Sequence, residues 1–343
     1  MANILLATRC NRSCPYCFAS SEMAGSSRER FISWENLTYI ADLLEAGGER
    51  SVSLLGGEPT LHPRCVDIIL YLLRRGFTVT VFTNGVLSPK RLGEFRRYLT
   101  RTSPDRLSFV CNLNDPIQTP APTEEIRRIE RFLAVMGPFT LPGFNIYRLD
   151  FTLDFLFDLI NRFGMKRHMR LGITHPLPGR RDGFIRPSEM RAAIERLCSY
   201  RPLFDSLKVS PGIDCGFPLC KFTEEELGWL HHFNRPLQFR CAPGLDITPD
   251  MSVYHCFPLS RYRRRSLFEF DSIREVREYY QDIHDEIKAE VAGIFDECDG
   301  CRHKEEGVCG GGGLCQAVHR LVIEAPVRGK DMENELARYD LSS

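Results

Sequence analysis

The chain has no apolar run near the ~20 residues that a bilayer-spanning helix needs; Ile68-Ile69-Leu70-Tyr71-Leu72-Leu73 stops at Arg74. It has no excess of either charge, with 45 Lys and Arg against 45 Asp and Glu. No global field therefore draws it to nucleic acid or to an anionic membrane, and neither is expected as a partner. The N-terminus has neither a charged n-region nor an apolar h-region with a cleavage site, so a cytoplasmic protein with reduced thiols is expected rather than a disulfide framework. Internal repeats and low-complexity tracts are lacking, and Gly310 to Gly313 is too short to serve as a linker. What the chain does have is cysteine: fourteen in 343 residues, most of them near the two ends. That distribution points to metal ligation more than to packing.

Length suggests two domains or one large barrel. Up to about residue 200, short β-rich runs alternate with amphipathic stretches. Strands are predicted at Ile4 to Thr8, Ser51 to Leu55, Thr78 to Thr83, Arg106 to Leu113, Phe144 to Tyr147 and His168 to Ile173. Between them, Leu37, Ile40, Ala41 and Leu44 recur at helical spacing. Ser88 before Pro89 reads as an N-cap, and Thr123 before Glu124 and Glu125 puts negative charge in a first turn. Repeated βα units build a parallel sheet or barrel with helices outside, so the class is α/β, and six such units make a partial (β/α)6 TIM-like barrel. Beyond residue 200 the pattern breaks at Pro202, Pro211, Pro218, Pro236, Pro243, Pro249 and Pro258, and eight cysteines follow. Apart from a capping-box helix opening at Thr223 to Glu226, this is a small, loop-rich, cysteine-rich region that needs metal to hold it together. The expected domains are residues 1–200 and 201–343.

Directly after the first strand, Cys10, Cys14 and Cys17 form a CxxxCxxC triplet, Cys-Asn-Arg-Ser-Cys-Pro-Tyr-Cys. Three thiolates on one loop leave two readings open. A structural zinc site wants four ligands, and no fourth lies close in sequence. A 4Fe-4S cubane has one iron per cysteine, so a tight group of three leaves one iron for another ligand. At this spacing, and with the aromatic Tyr16 before the last cysteine, the triplet resembles the signature of the radical S-adenosylmethionine (SAM) enzymes. The resemblance implies a site-differentiated 4Fe-4S cluster whose open iron is chelated by SAM, the partial barrel, and a 5′-deoxyadenosyl radical that abstracts hydrogen from a substrate. It also implies a reduced flavodoxin or ferredoxin as electron donor.

Active sites of such barrels lie on the loops after the strands, and the other signals fall there. Gly56-Gly57-Glu58 after the second strand resembles the family's GGE motif, which receives the methionine end of SAM; the alternative is a plain strand-to-helix turn. Asn84 ends the third strand. Asn112 and Asn114 end the fourth, and alternation puts both on one face, opposite Cys111 and Leu113. Amide side chains both donate to and accept from ribose hydroxyls, so these two are assigned to the nucleoside, with turn-forming asparagines as the alternative. After the sixth strand, Thr174 is expected to offer a backbone contact to adenine and His175 to serve the substrate, a structural histidine being the alternative.

The later cysteines, Cys241, Cys256, Cys298, Cys301, Cys309 and Cys315, resemble the SPASM extension of the same family, which implies one or two auxiliary 4Fe-4S clusters. The expected final cysteine after Cys315 is lacking, and Cys215 and Cys220 supply the count of eight that two cubanes require. Cys215 has a second candidate role as a hydrogen donor to a substrate radical, and a zinc ribbon is the alternative for the last four. Cys65, Cys111 and Cys198 read as buried apolar residues. The run Arg261-Tyr-Arg-Arg-Arg265 is either a solvated loop or a docking patch for an acidic peptide or the electron donor. By family analogy the expected substrate is a peptide or protein, with crosslinking, oxidation or epimerisation as outcomes; a small molecule is the second enzymatic reading and a non-catalytic metal-binding protein the rival. Only nine residues precede Cys10, so no leader-binding domain is expected ahead of it.

Overall fold

The computed structural model describes residues 1–20, 30–116, 119–176, 182–233, 239–242, 244–260 and 263–317. Strands β1 (Ala2–Ala7), β2 (Ser51–Gly56), β3 (Thr78–Thr83), β4 (Leu107–Asn112), β5 (Thr140–Ile146) and β6 (His168–Ile173) stand where the alternation puts them. Each pairs in parallel with the next. Parallel neighbours need long crossovers, which are supplied by α1 (Trp34–Ala46), α2 (Cys65–Arg74), α3 (Pro89–Glu94), α4 (Thr123–Met136) and α5 (Asp154–Phe163), with α6 (Met190–Cys198) after β6. Local chemistry starts these helices: the Ser33 hydroxyl accepts the Asn36 N–H, and Ser88 accepts the Arg91 N–H with Pro89 in the first turn. Leu37, Ile40, Ala41 and Leu44 form the buried stripe of α1.

Alternation splits each strand between a helix-facing core and a concave inner side. Met169, Leu171 and Ile173 of β6 join the core, whereas Arg170 points the other way. The Arg170 guanidinium lies 5.4 Å from the Phe82 ring of β3, a strand that is not its neighbour in the sheet. That contact has to cross the concave side, so the sheet curls into a partial barrel.

The sheet continues past residue 200. After α7 (Arg201–Ser206), β7 (Ser210–Ile213) pairs in parallel with β6. Beyond α8 (Glu224–Phe233), β8 (Leu245–Ile247) pairs in parallel with β1 at the opposite side, and β9 (Ser252–His255) and β10 (Arg265–Ser266) follow antiparallel. The strand order is β10-β9-β8-β1-β2-β3-β4-β5-β6-β7. Then come α9 (Ile273–Glu290) and the short α10 (Arg302–Glu305). One apolar core takes in Leu37 and Leu54 together with Leu245, Val253 and Val276, so core and sheet both cross the division expected at residue 200. The capping box at Thr223 is present in both directions, Thr223 N–H to the Glu226 carboxylate at 2.7 Å and Glu226 N–H to the Thr223 hydroxyl at 3.3 Å. Cys65 and Cys111 are fully buried and Cys198 packs at the core's edge. Pro236 and Pro243 lie outside the described residues. Among the described residues no helix is long and apolar enough to cross a membrane.

Candidate active site

Cys10, Cys14 and Cys17 follow β1 on a loop that is pinned to the end of β2. The N–H groups of Gly57 and Glu58 donate to the Ala7 and Arg9 carbonyls, each at 2.8 Å. A Cβ on Gly57 would lie 2.3 Å from the Arg9 carbonyl oxygen, and one on Gly56, at φ +138°, 2.2 Å from that of Ala7. The backbone that these glycines let in is therefore the cysteine loop itself. Glu58 is buried, and its carboxylate accepts the Thr60 N–H at 3.1 Å, the Thr60 hydroxyl at 2.7 Å, the Thr83 hydroxyl at 2.8 Å and the Asn84 N–H at 2.8 Å. Burial raises its pKa while these four bonds oppose the shift. Glu58 thus ties β2 to the end of β3 and positions Asn84.

Two asparagines then reach the loop. Asn84 directs its amide N–H at Cys10 Sγ, 3.7 Å away, and at Asn11 Oδ1, 2.8 Å away. Asn114 directs its amide N–H at Cys14 Sγ at 3.8 Å, and its Oδ1 accepts the Tyr16 hydroxyl. The Tyr16 ring packs on Tyr147 with centroids 5.0 Å apart; burial raises the phenol well above its usual range, so it remains a donor. Asn112 shares the inner face with Asn114, while Cys111 and Leu113 point into the core, as alternation predicts. Asn112 Oδ1 is buried without a hydrogen-bond partner, and a Cβ at Gly143 would come within 2.6 Å of it. A buried orphan acceptor is costly unless a ligand satisfies it. Soft sulfur donors on one loop, amides aimed at two of them and an orphan acceptor alongside fit a thiolate-bound cluster with a nucleoside cofactor next to it.

At β6 the Thr174 N–H and hydroxyl both donate to the Ile146 carbonyl at 3.0 Å. His175 is buried, with Nε2 3.5 Å from Cys215 Sγ, which brings together the two candidate catalytic residues. Burial, with Asp214 adding to it, pushes the Cys215 thiol up to about 12. Cys256 is raised by burial and by Cys315, Asp246, Cys215 and Cys241, and Cys315 by burial, Cys241 and Cys215. These four sulfurs therefore share one region. Among the described residues, no three His, Cys, Asp or Glu side chains stand close enough to share a single metal ion. Thiolates of a cubane bind separate irons and stand farther apart than ligands of one ion. The first cysteine loop comes near the segment of Cys256, because Cys17 packs on the cluster of Leu5, Ala19, Tyr254 and Phe257, the last directly after Cys256.

Several residues escaped the sequence. Arg12, inside the loop, pairs with Glu125 of α4 at 2.8 Å with side chains only 6% and 19% exposed. Glu125 reads in sequence only as first-turn charge. Arg170 pairs with Asp214 on the inner face, and no sequence pattern marks that pair. In the basic run, Arg261 and Tyr262 lie outside the described residues; Arg264 faces Asp250 at 3.8 Å and Arg265 pairs with Glu269, so both are engaged within the chain.

Residues 4–133 match the family model of the Radical SAM superfamily. Over 236 residues the chain is 27% identical to GTP 3′,8-cyclase 1 of Pseudomonas aeruginosa, covering 65% of this chain and 69% of that protein. It spans only 20% to 31% of the length of the first curated relatives it matches. The fold matches that of anSMEcpe with bound AdoMet at a TM-score of 0.62 and 13% identity, covering 99% of this chain and 96% of that one. It also matches Streptococcus suis SuiB bound to its precursor peptide SuiA, at a TM-score of 0.57 and 14% identity, covering 95% and 73%. Residues 4–133, which carry the cysteine triplet, thus form a segment of the radical SAM superfamily, and the chain as a whole shares the fold of these two neighbours.

Proposed function

We propose that the chain is a radical SAM enzyme acting on a peptide or protein substrate, with residues 1–200 carrying the cofactor chemistry and residues 201–343 auxiliary iron-sulfur clusters. The observation that carries this is the loop of Cys10, Cys14 and Cys17, latched to the ends of β3 and β4 by amides aimed at two of its sulfurs. When bound there, a 4Fe-4S cluster supplies the electron that splits SAM into methionine and the 5′-deoxyadenosyl radical that takes a hydrogen atom from the substrate. The chain's own task is to hold, orient and exclude water. Cys10, Cys14 and Cys17 hold the cluster, Glu58 fixes Asn84 against it, and Asn112 offers its unpartnered Oδ1 to the nucleoside.

An inner wall with donors and acceptors such as Arg170, Asp214 and the Thr80–Ser108 pair suits the amides of a peptide, and SuiB is a structural neighbour solved with a peptide. A small-molecule substrate is the second reading, favoured by the similarity to a GTP cyclase. A reduced flavodoxin or ferredoxin is the electron donor and the cytoplasm the setting in this proposal. The test is replacement of Cys10, Cys14 and Cys17 together by Ala. About four irons per chain and all reductive formation of 5′-deoxyadenosine should be lost, and undiminished cleavage would sink the proposal.

A further inference from the structure

The downstream cysteines group in space in a way that ignores their order in the chain; reading that grouping as ligation rests on the proposed auxiliary clusters. Cys215, Cys241, Cys256 and Cys315 share one region: Cys241 and Cys315 pack with Leu259, whose N–H donates to the Cys256 carbonyl at 3.0 Å, and a Cβ on Gly216, next to Cys215, would lie 3.7 Å from the Gln316 side chain, next to Cys315. Cys220, only five residues after Cys215, goes elsewhere. It sits exposed in the turn Leu219–Lys221, and the ammonium of the adjacent Lys221 lies 4.1 Å over the ring of Phe295, which opens the turn Asp296–Cys298. On the other flank, Phe222 packs on Phe239 at 5.5 Å. Phe239 in turn bridges to Cys309, and its carbonyl accepts the Gly310 N–H at 2.7 Å. Cys220 is therefore held from both sides against the segments that carry Cys298 and Cys309.

The remaining groups there are arranged around sulfur. Cys301 N–H donates to the Cys298 carbonyl at 3.4 Å, which keeps the two on one turn, and Gly311 N–H points at Cys309 Sγ at 3.4 Å. A Cβ on Gly293 would come within 2.6 Å of Cys298 Sγ. We propose that Cys220 is the fourth thiolate of a 4Fe-4S cluster held with Cys298, Cys301 and Cys309. The segment from Cys215 to Cys220 then gives one ligand to each of two clusters, and a ligand from upstream in the chain takes the place of the cysteine lacking after Cys315.

The test uses the full chain with Cys10, Cys14 and Cys17 replaced by Ala, reconstituted anaerobically, with iron counted and the reduced clusters read by electron paramagnetic resonance. About eight irons are expected, in two signals. Cys220→Ala should remove between about one and four irons and change the signal that Cys298→Ala abolishes, leaving intact the signal that Cys256→Ala abolishes. Cys220→Ala with Cys298→Ala should remove no more iron than Cys298→Ala alone. Cys198→Ala, a control away from both groups, should change nothing. Unchanged iron and signals in Cys220→Ala while Cys298→Ala loses a cluster would overturn the ligand, as would a change that follows Cys256→Ala instead. If the background chain holds no iron at all, the auxiliary-cluster reading itself is wrong and the ligand assignment goes with it.

Discussion

Gly57 is glycine because the Arg9 carbonyl would stand 2.3 Å from any Cβ placed there. Gly57→Val should therefore displace the cysteine loop, destabilise the chain by about 1–3 kcal/mol and lower iron at the first site. Full iron with selectively weakened SAM binding, measured by calorimetry on the reconstituted chain, would return the glycine to the cofactor. The sequence identified the residue and its motif, and the structure adds the Arg9 backbone as a neighbour, which a motif does not name because it does not say which backbone crosses it. Asp246 is a residue that sequence could not flag at all. It is buried on β8, accepts the Asn3 amide N–H at 2.7 Å, and burial lifts its carboxyl to about 7. Since its native pKa lies above the unfolded value, the native state holds the extra proton. Stability from this group is complete below the unfolded pKa and is lost as pH rises through about 7. Asp246→Asn should thus stabilise the chain at pH 7.5 relative to pH 5.5 by up to roughly 2 kcal/mol, read from urea midpoints; an equal effect at both pH values would exclude a raised pKa.

Among the elements, β1 to β6 were legible because each is a β-rich run between turn residues, with capped amphipathic helices between. Strands β7 to β10 were not, since runs of two to four residues are too short to display a period of two. Helix α9 is the instructive miss. Ser272 caps it by accepting the Glu275 N–H, and Ile273, Val276, Tyr280 and His284 form its buried stripe. Two of those four are tyrosine and histidine, which a count of aliphatic positions passes over. The stripe also carries a pH dependence of the opposite sign to that of Asp246. The rings of His284 and of His255 on β9 lie 6.3 Å apart, and desolvation lowers both to about 4. With native values below the unfolded one, this contribution is present above about pH 6.5 and is lost as pH falls through 4. His284 Nε2 is buried without a partner, so a phenyl ring in its place strands no polar group. His284→Phe should raise stability at pH 5 relative to pH 7.5 by roughly 2 kcal/mol, and no change in the pH profile would show that the imidazole titrates normally.

For the whole molecule, sequence spacing runs along one dimension, and the structure departs from it most where chain order and spatial order part. The thiols were all found in the sequence, but their grouping was not, because Cys220 and Cys298 are neighbours only after folding. The composition changes at residue 200, yet β8 pairs with β1 through Ala2, Asn3 and Ile4. A fragment ending at residue 200 should lack a cooperative thermal transition by circular dichroism, because it strips β1 of a neighbour and the core of Leu245, Val253 and Val276. A sharp native-like transition in that fragment would make the first 200 residues an independent unit. The strand order has one more consequence. Among the described residues the sheet is open, with β7 at one margin and β9 next to the other; Cys215 follows β7 after Asp214, and Cys256 comes directly after β9. Whatever grips both sulfurs is a buckle across the slit of an unclosed cylinder, fastening margins that no backbone hydrogen bond joins among the described residues. If the proposed auxiliary cluster is that grip, stripping iron should quicken amide hydrogen exchange along β7 and β9 together while β2 and β3, well inside the sheet, keep their protection.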